Sequence, residues 1–388
     1  MHYRKIHPDK VFDGHQLLTE RVLIVQNNGT IEAVVPLVEA GEGVERVEGL
    51  LTPGFINCHC HLELSHMKGL IPEGTGLVDF VFNVVTQRSA PEEEILATVS
   101  QAETTMKAAG IVAVGDICNN TVTLPQKEKS NLRYYNFVEA SGWLPAISEA
   151  RFERAKLIYD AFETIQNSSI VPHAPYSVSE NLWKAIQPYF QNKVVSIHSQ
   201  ETAFEDEFFL HGSGDFKRMY ELMKIDNSHH LPTNKSSLQS YFDKLRGAEK
   251  ILLVHNTFTN QEDIDYLIGN RQSAIGSKPQ TFFCLCANAN RYIENAMPPV
   301  DLFRKNKCNI VLGTDSLASN WSLSILDEIK TIRKYFPQVL LEEMLRWATV
   351  NGAMALNMQD DLGSFEKGKK PGVVLVDEDA LNVREILF

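Results

Sequence analysis

The pattern of apolar and polar positions changes twice along the 388 residues. Residues 1 to about 52 contain short runs in which apolar and polar positions alternate, and Asn27, Asn28 and Gly29 separate two of these runs. Alternation around such a turn is typical of a β-hairpin. Residues 361–388 return to the same character, so the segments 1–52 and 361–388 are predicted to form one small, discontinuous β-sandwich domain.

Between these segments, over residues 53–360, apolar runs alternate with stretches of helical periodicity. This alternation predicts βα units and a parallel sheet, and eight units predict an α/β fold of the closed (β/α)8 TIM-barrel type. A polar stretch at about 205–250 is longer than a usual connection and is predicted to form a lid or wall of a site. The eight runs are FINCHCH, GIVAVGD, LRYYNFVEA, SIVPHAPY, VVSIHSQ, KILLVHN, TFFCLCANAN and NIVLGTD.

Composition and charge indicate which kinds of molecule the protein can bind. The formal net charge is −12, and the basic residues are scattered, which argues against nucleic-acid polymers and membrane surfaces as partners. No apolar run approaches the roughly 20 residues of a membrane span, and the N-terminal residues lack the apolar core of a signal peptide. Six cysteines without a paired framework fit a reducing compartment. A cytoplasmic protein that acts on a small molecule is therefore predicted, and its oligomeric state stays open, a homo-oligomer included.

Ionisable side chains recur at the C-terminal ends of the predicted strands, where barrel active sites are assembled. His59 and His61 are two residues apart on the first strand, so their imidazoles point to the same face and can clamp one metal ion. His198 on the fifth strand and Asp315 on the eighth can complete a site of nitrogen and oxygen ligands, which suits zinc or iron. One coordination position would stay open for water.

Four further polar residues accompany this set. His173 lies on the fourth strand, His255 lies on the sixth, and Glu201 follows the fifth. Glu63 continues the alternation of the two first-strand histidines and is predicted to face the barrel mouth. Two of these residues have a second interpretation, since His173 can be a core histidine bonded to the backbone and Glu63 can be a surface carboxylate.

Four further histidines and four of the six cysteines receive structural interpretations. Cys58 and Cys60 alternate with the histidine pair, so they point to the opposite face of the first strand and are predicted to pack in the barrel wall. Cys284 and Cys286 have no histidine beside them and are predicted to fill the core. Four histidines in polar segments are predicted to be solvated: His66, His211, His229 and His230.

A known family shares these motifs in this order. The chain resembles the cytosine deaminase and chlorohydrolase branch of the amidohydrolase superfamily over nearly its whole length. It departs from the usual pattern where CANAN replaces Cys-Pro-x-Ser-Asn and where KPGV replaces Ala-Asp-Leu-Val, and only the first departure bears on a substrate wall. The shared motifs are PGFINCHCHLELS, HAPYSVS, HSQETAFEDEFFLHGSGDF, VHN, CANANRY, GTDSLASNWSLSILDEI and the tail ATVNGAMALNMQDDLGSFEKGKKPGVVLVD.

The resemblance implies a single divalent ion per chain, zinc or ferrous iron, held by His59, His61, His198 and Asp315. The binuclear branch instead bridges two ions with a carbamylated lysine, usually on strand 4. The fourth run, SIVPHAPY, contains no lysine, which favours the mononuclear type.

The resemblance also implies catalytic roles. Glu201 would take a proton from the attacking water and pass it to the ring nitrogen beside the reacting carbon, and Asp315 would accept a second proton. His255 would hydrogen-bond the attacking oxygen and stabilise the charge that develops there. His173 and Glu63 are left to contact the substrate, and ammonia is the expected leaving group.

The motifs are most similar to those of deaminases that act on 6-aminopurine nucleosides. The leading candidate substrate is aminodeoxyfutalosine, an intermediate of an alternative menaquinone route, and the alternatives are adenosine, 5′-methylthioadenosine, S-adenosylhomocysteine or a free base. The chain lacks a Gly-rich phosphate-binding loop, which disfavours nucleotides. Two other functions stay open: a chlorohydrolase or cyclic-amide hydrolase that uses the same water, and a non-catalytic barrel that serves as a binding module.

Overall fold

Two small sheets precede the barrel in the computed structural model, which describes residues 3–273 and 279–388. One sheet has the strand order β5-β4-β1-β6, and its β4/β5 hairpin turns at the predicted Asn-Asn-Gly. Apolar side chains such as Ile6, Leu23 and Val25 form its core. The seven strands are β1 Tyr3–His7, β2 Lys10–Phe12, β3 Leu17–Leu18, β4 Arg21–Gln26, β5 Ile31–Pro36, β6 Val44–Arg46 and β7 Leu50–Thr52.

Eight parallel strands follow, one in each predicted run: β8 Phe55–Cys60, β9 Ile111–Cys118, β10 Arg133–Ala140, β11 Ser168–Pro172, β12 Val194–Ser199, β13 Lys250–His255, β14 Gln280–Leu285 and β15 Asn309–Leu312. They form two four-stranded halves, β11-β10-β9-β8 and β12-β13-β14-β15. Backbone hydrogen bonds join the halves on both sides, because His198 N–H donates to the His173 carbonyl (2.9 Å) and Thr314 N–H donates to the His59 carbonyl (2.9 Å). The predicted α/β barrel is confirmed.

Helices occupy the connections between the barrel strands. Among the described residues, no helix combines the length and the apolar composition that a membrane crossing requires. The helices are α1 Leu77–Gln87, α2 Glu92–Ala108, α3 Leu124–Lys127, α4 Ser148–Glu163, α5 Glu180–Ile186, α6 Phe204–His211, α7 Phe216–Leu222, α8 Ser237–Tyr241, α9 Gln261–Ser273, α10 Ala287–Glu294, α11 Val300–Lys305, α12 Ile325–Tyr335, α13 Leu341–Ala348 and α14 Val350–Ala355.

The C-terminal segment returns to the N-terminal strands. Strands β16 (Val374–Asp377) and β17 (Asn382–Ile386) belong to a five-stranded sheet of order β17-β16-β7-β2-β3. Antiparallel pairing places Leu375 of β16 opposite Leu51 of β7, so both ends of the chain contribute to one sheet. The domain limits at residues 52 and 361 stay a prediction.

Several predicted runs extend past the strands they contain. TFFCLCANAN was predicted to be extended throughout, but β14 ends at Leu285, and Asn290 N–H donates to the Cys286 carbonyl (2.9 Å) as the first turn of α10 forms. The fourth run ends its strand at Pro172, because a 3₁₀ turn begins at Pro175. The polar ends of these runs therefore lie on loops above the barrel, where the backbone is released from the strand ladder.

Candidate metal centre

Three potential ligand atoms converge at the C-terminal end of the barrel. The Nε2 atoms of His59 and His61 lie 3.2 Å apart, and Oδ1 of Asp315 lies 3.4 Å from the first and 3.2 Å from the second. For ligands at the usual 2.0–2.1 Å from zinc, a tetrahedral arrangement separates neighbouring ligand atoms by about 3.3 Å. The observed spacing fits a divalent ion. Burial lowers the pKa of His61 to about 3, so its imidazole is neutral and able to coordinate.

His198 is oriented for the same purpose. Its Nδ1–H donates to the backbone carbonyl of His173 at 2.8 Å, which leaves the Nε2 lone pair available as a ligand. Burial lowers the pKa of His198 well below its ordinary value. One potential ligand atom from each of four buried residues lies within 4.8 Å of the others, and the four are His59, His198, His255 and Asp315.

The backbone and neighbouring hydroxyls fix the Asp315 carboxylate. Asp315 has a φ of 57°, a left-handed conformation that is uncommon for residues other than glycine. Its backbone N–H donates to the His59 carbonyl (3.0 Å), and Ser319 Oγ donates to Oδ2 (2.5 Å). Asn320 braces this loop by donating to the Thr314 carbonyl (2.7 Å). Oδ1 is thereby directed toward His59 and His61. Ser319 and Asn320 of the GTDSLASN motif thus hold the Asp315 loop in place.

His255 is held in one tautomer beside Glu201. Its Nδ1–H donates to Asn290 Oδ1 (2.7 Å), so the neutral ring carries a lone pair on Nε2. That Nε2 atom is buried, has no hydrogen-bond partner among the described residues, and lies 3.7 Å from Glu201 Oε1. Burial raises the pKa of Glu201 well above its ordinary value, as is typical of carboxyl groups that transfer protons. In this tautomer Nε2 accepts a hydrogen bond and does not donate one.

A cavity of about 770 Å³ opens above these residues and includes His173 in its lining. The hydroxyl of Ser177 donates to the Ala174 carbonyl (3.0 Å) and therefore accepts from His173 Nδ1 (2.9 Å). Burial lowers the pKa of His173 to about 4, so the ring is neutral and its Nε2 is a hydrogen-bond acceptor.

Two buried carboxylates, Glu63 and Glu139, also line the cavity. Glu63 lies on a 3₁₀ turn directly after the first strand, accepts from Arg88 (3.1 Å) and accepts from the Asn119 backbone N–H (3.1 Å). Glu139 accepts from the Asn119 side-chain amide (2.9 Å), and its Oε1 lies 3.5 Å from His198 Nδ1. Burial raises the pKa of each carboxyl to about 7.

Sequence reasoning missed Glu139, although its signal was present. The third predicted run, LRYYNFVEA, ends with a carboxylate next to its last residue, just as other runs end with histidine or aspartate. Applying the same strand-end criterion to all eight runs would have included Glu139.

The polar stretch at 205–250 contributes a wall of the cavity. Met219 and Tyr220 of α7, with Met223 and Ile225 after it, line the opening. Trp143 packs against this segment. Its indole N–H donates to Asn227 Oδ1 (2.7 Å), and its ring stacks on Tyr220 with centroids 5.4 Å apart. The prediction of a wall at this stretch agrees with the structure.

Two histidines predicted to be solvated are half-buried. His66 Nε2 bonds the Arg88 carbonyl (2.9 Å), and His230 stacks on Phe208 with ring centroids 4.0 Å apart. That prediction was wrong for both residues, because aromatic and backbone partners distant in sequence cover them. His211 is exposed, as predicted, and the four cysteines predicted to pack in the barrel are buried: Cys58, Cys60, Cys284 and Cys286.

The chain matches known proteins over most of its length. The model of the Amidohydrolase family matches residues 50–387. An aminodeoxyfutalosine deaminase of Nitratiruptor sp. is 25% identical over 354 residues, which cover 87% of this chain and 82% of that protein. A 5-methylthioadenosine/S-adenosylhomocysteine deaminase of Teredinibacter turnerae is 25% identical over 397 residues, which cover 96% of this chain and 83% of that protein.

A solved structure shares the whole fold. The structure of Helicobacter pylori aminofutalosine deaminase in complex with methylthio-coformycin superposes with a TM-score of 0.81 at 21% identity. The match covers 99% of this chain and 98% of that one. At this identity the likeness establishes the fold.

Proposed function

The chain belongs to the amidohydrolase family, and we propose that it hydrolytically removes ammonia from a 6-aminopurine nucleoside. Deaminases of this family are hydrolases that act on carbon–nitrogen bonds. The observation that carries the proposal is the convergence of two imidazole nitrogens and one carboxylate oxygen at 3.2–3.4 Å on the floor of a large cavity. The carboxyl of Glu201, whose pKa is raised by burial, lines the same cavity.

The residues proposed to hold one divalent ion, zinc or ferrous iron, are His59, His61, His198 and Asp315. When bound, such an ion lowers the pKa of water enough to supply a hydroxide nucleophile near neutral pH. His198 remains neutral through burial and its bond to the His173 carbonyl, so it offers a lone pair and not a proton. Asp315 supplies the negative charge of the set.

The proton transfers are assigned to Glu201 and the residues beside it. The Glu201 carboxylate takes a proton from the attacking water and delivers it to the ring nitrogen next to the reacting carbon, which draws electron density away from that carbon. As the new carbon–oxygen bond forms, Asp315 takes the second proton from the attacking oxygen and passes it to the exocyclic amine, and the carbon–nitrogen bond then breaks to release ammonia. His255 accepts a hydrogen bond from the attacking water through Nε2 and orients it, because its Nδ1–H is engaged by Asn290. The charge-stabilising role predicted for His255 from the sequence would require a proton on Nε2 and stays an alternative.

Substrate orientation is assigned to His173 and Glu63. His173 presents an acceptor nitrogen to the cavity, where a sugar hydroxyl can donate to it. Glu63 is held by Arg88 and Asn119 and lines the same side of the cavity as Glu139. Both residues line the cavity in which the nucleoside is proposed to bind.

The outer part of the cavity supports a modified 5′ substituent. Apolar side chains of α1 and α7, including Val84 and Met219, line the cavity together with arginines 151 and 154. Arg154 donates to the Asn119 carbonyl (3.3 Å), and among the described residues no ion pair joins either arginine to a carboxylate. A substituent with an apolar body and an anionic end fits this arrangement. Aminodeoxyfutalosine remains the leading candidate, with S-adenosylhomocysteine, 5′-methylthioadenosine and adenosine as alternatives.

The test is an ammonia-release screen of the purified, metal-loaded protein against adenine nucleosides, free bases and a chlorinated triazine. The proposal predicts ammonia from adenine nucleosides and the fastest release from those with an anionic 5′ substituent. Ammonia from cytosine or guanine alone would overturn the substrate class, and chloride release from the triazine without ammonia would favour a chlorohydrolase. A barrel that acts only as a binding module would release neither product.

A further inference from the structure

Every polar group of Gln200, the residue before Glu201, forms a hydrogen bond. Gln200 is buried and has a φ of 47°, in the left-handed region that favours glycine. Its backbone N–H donates to Glu205 Oε1 (2.9 Å), and its carbonyl accepts from Phe258 N–H (3.0 Å). A non-glycine residue keeps this conformation only where surrounding contacts hold it.

The side-chain amide of Gln200 is equally engaged. Its Nε2 donates to Asp263 Oδ2 (2.6 Å) and to Asp206 Oδ1 (3.2 Å), while its Oε1 accepts from the Thr259 hydroxyl (2.7 Å). These partners lie on two segments of the chain, helix α6 and the start of helix α9 with the residues before it. A buried amide with every donor and acceptor partnered is rigid, because any rotation would leave a polar group unsatisfied.

The same network reaches the backbone of Glu201. The carboxylate of Glu205 accepts from the N–H groups of both Gln200 (2.9 Å) and Glu201 (3.3 Å). Its Oε1 also accepts from Ser237 Oγ (2.6 Å), at the end of the segment that forms the cavity wall. The conformation of Gln200 therefore fixes the orientation of the backbone at Glu201, two residues past the end of strand β12.

From these contacts we infer that Gln200 is a positioning residue that holds Glu201 over the reacting atoms, with Glu205 as its anchor. The inference rests on the proposed proton-transfer role of Glu201. Small displacements of a proton carrier lower the rate of proton transfer steeply while leaving substrate binding almost unchanged. Loss of the Gln200 side chain should therefore lower kcat and spare KM.

The decisive variant is Gln200→Gly, because glycine adopts a φ of 47° without strain and only the side-chain clamp is removed. We expect kcat to fall by about 10-fold or more, with KM changed less than about twofold and ion content unchanged. In a Glu201→Gln background, Gln200→Gly should change the residual rate by less than about twofold, since there is no proton carrier left to position. Thr259→Val, which removes one hydroxyl donor to Gln200, should give a smaller loss in the same direction.

The matched control is Gln126→Ala. Gln126 is a second buried glutamine, whose amide donates to Glu103 (2.7 Å) and accepts from Lys129 (2.7 Å) away from the cavity; its replacement should leave kcat unchanged. Equal losses from Gln200→Gly in the two backgrounds would overturn the inference, as would an unchanged kcat in the wild-type background. If Glu201→Gln itself keeps full turnover, the proposed proton-transfer role of Glu201 fails, which is a separate and distinguishable result.

Discussion

The Nδ1–H of His198 donates a 2.8 Å hydrogen bond to the backbone carbonyl of His173. This bond fixes the tautomer of one candidate ligand through the main chain of a residue assigned to substrate binding. The two functions can therefore be separated by mutation, because replacing the His173 side chain leaves its carbonyl in place.

Replacing His198 by alanine should remove the metal ion and the activity together. One of four ligands is lost, and the remaining three cannot hold the ion in a closed coordination geometry. Elemental analysis should find one equivalent of zinc or iron in the wild-type chain and much less in the variant. His211→Ala, which removes an exposed histidine, is the matched control and should keep its ion. Two equivalents in the wild type would contradict the single-ion assignment.

Glu201→Gln should separate metal binding from turnover. Glutamine keeps the size of the side chain but cannot carry the transferred proton, so kcat should fall by about 10²-fold or more. The variant should retain its ion and bind the nucleoside. If the ion were lost with the activity, Glu201 would be a ligand and the proton scheme would be wrong.

His173→Ala should weaken substrate binding without disturbing the metal centre. The variant loses the acceptor nitrogen that faces the cavity but keeps the carbonyl that orients His198. KM for the nucleoside should rise by about 10-fold while ion content stays at the wild-type level. Ser177→Ala, which removes only the hydroxyl that accepts from His173 Nδ1, should raise KM less. An unchanged KM in His173→Ala would show that the His173 side chain has a structural role and does not bind the nucleoside.

Glu139 should make the stability of the metal-free protein depend on pH. Burial raises the pKa of Glu139 to about 7, above the ordinary value of 4.5, so the folded chain binds this proton more tightly than the unfolded chain does. Its stabilising contribution is complete below about pH 4.5 and is lost as pH rises through 7. The wild type should therefore lose roughly 3 kcal/mol of unfolding free energy relative to Glu139→Gln between these pH values.

Chemical denaturation of both proteins after chelation, repeated across this pH range, measures that difference. Glutamine at position 139 can still accept the hydrogen bond from the Asn119 amide, so the comparison isolates the titrating proton. A difference that stays constant with pH would show that the pKa of Glu139 is the same in the folded and the unfolded chain.

Much of the centre could be predicted from the sequence because its residues follow a local rule. In β-strands every second side chain shares a face, so His59 and His61 had to point together once the first strand was recognised. Strand ends in a barrel meet at one rim, which brought His198 and Asp315 to the same place. Both inferences use only the order of residues within a single element.

Other features depend on contacts between segments that are distant in sequence, and the pattern of apolar and polar positions did not predict them. The buried ion pair between Lys127 and Asp116 (2.5 Å) anchors the N–H of Leu62 next to the metal centre. Asp116 ends the second predicted run, but nothing in the sequence links it to Lys127, which lies outside the eight runs. The bond between Trp143 and Asn227 joins residues 84 positions apart. The tautomer of His255 depends on Asn290, which follows a strand predicted to be longer than it is. Hydrophobic periodicity carries no information about such pairs.

Metal-dependent deamination can be tested in one experiment, the product balance of the protein with adenine nucleosides before and after chelation. We expect one ammonia for each hypoxanthine nucleoside formed, loss of both products when the ion is removed, and recovery of both when zinc or ferrous iron is added back. Glu201→Gln, loaded with the same ion, should form neither product at a comparable rate. Ammonia release that persists without the ion, or no product from any adenine nucleoside with the ion bound, would contradict metal-dependent deamination.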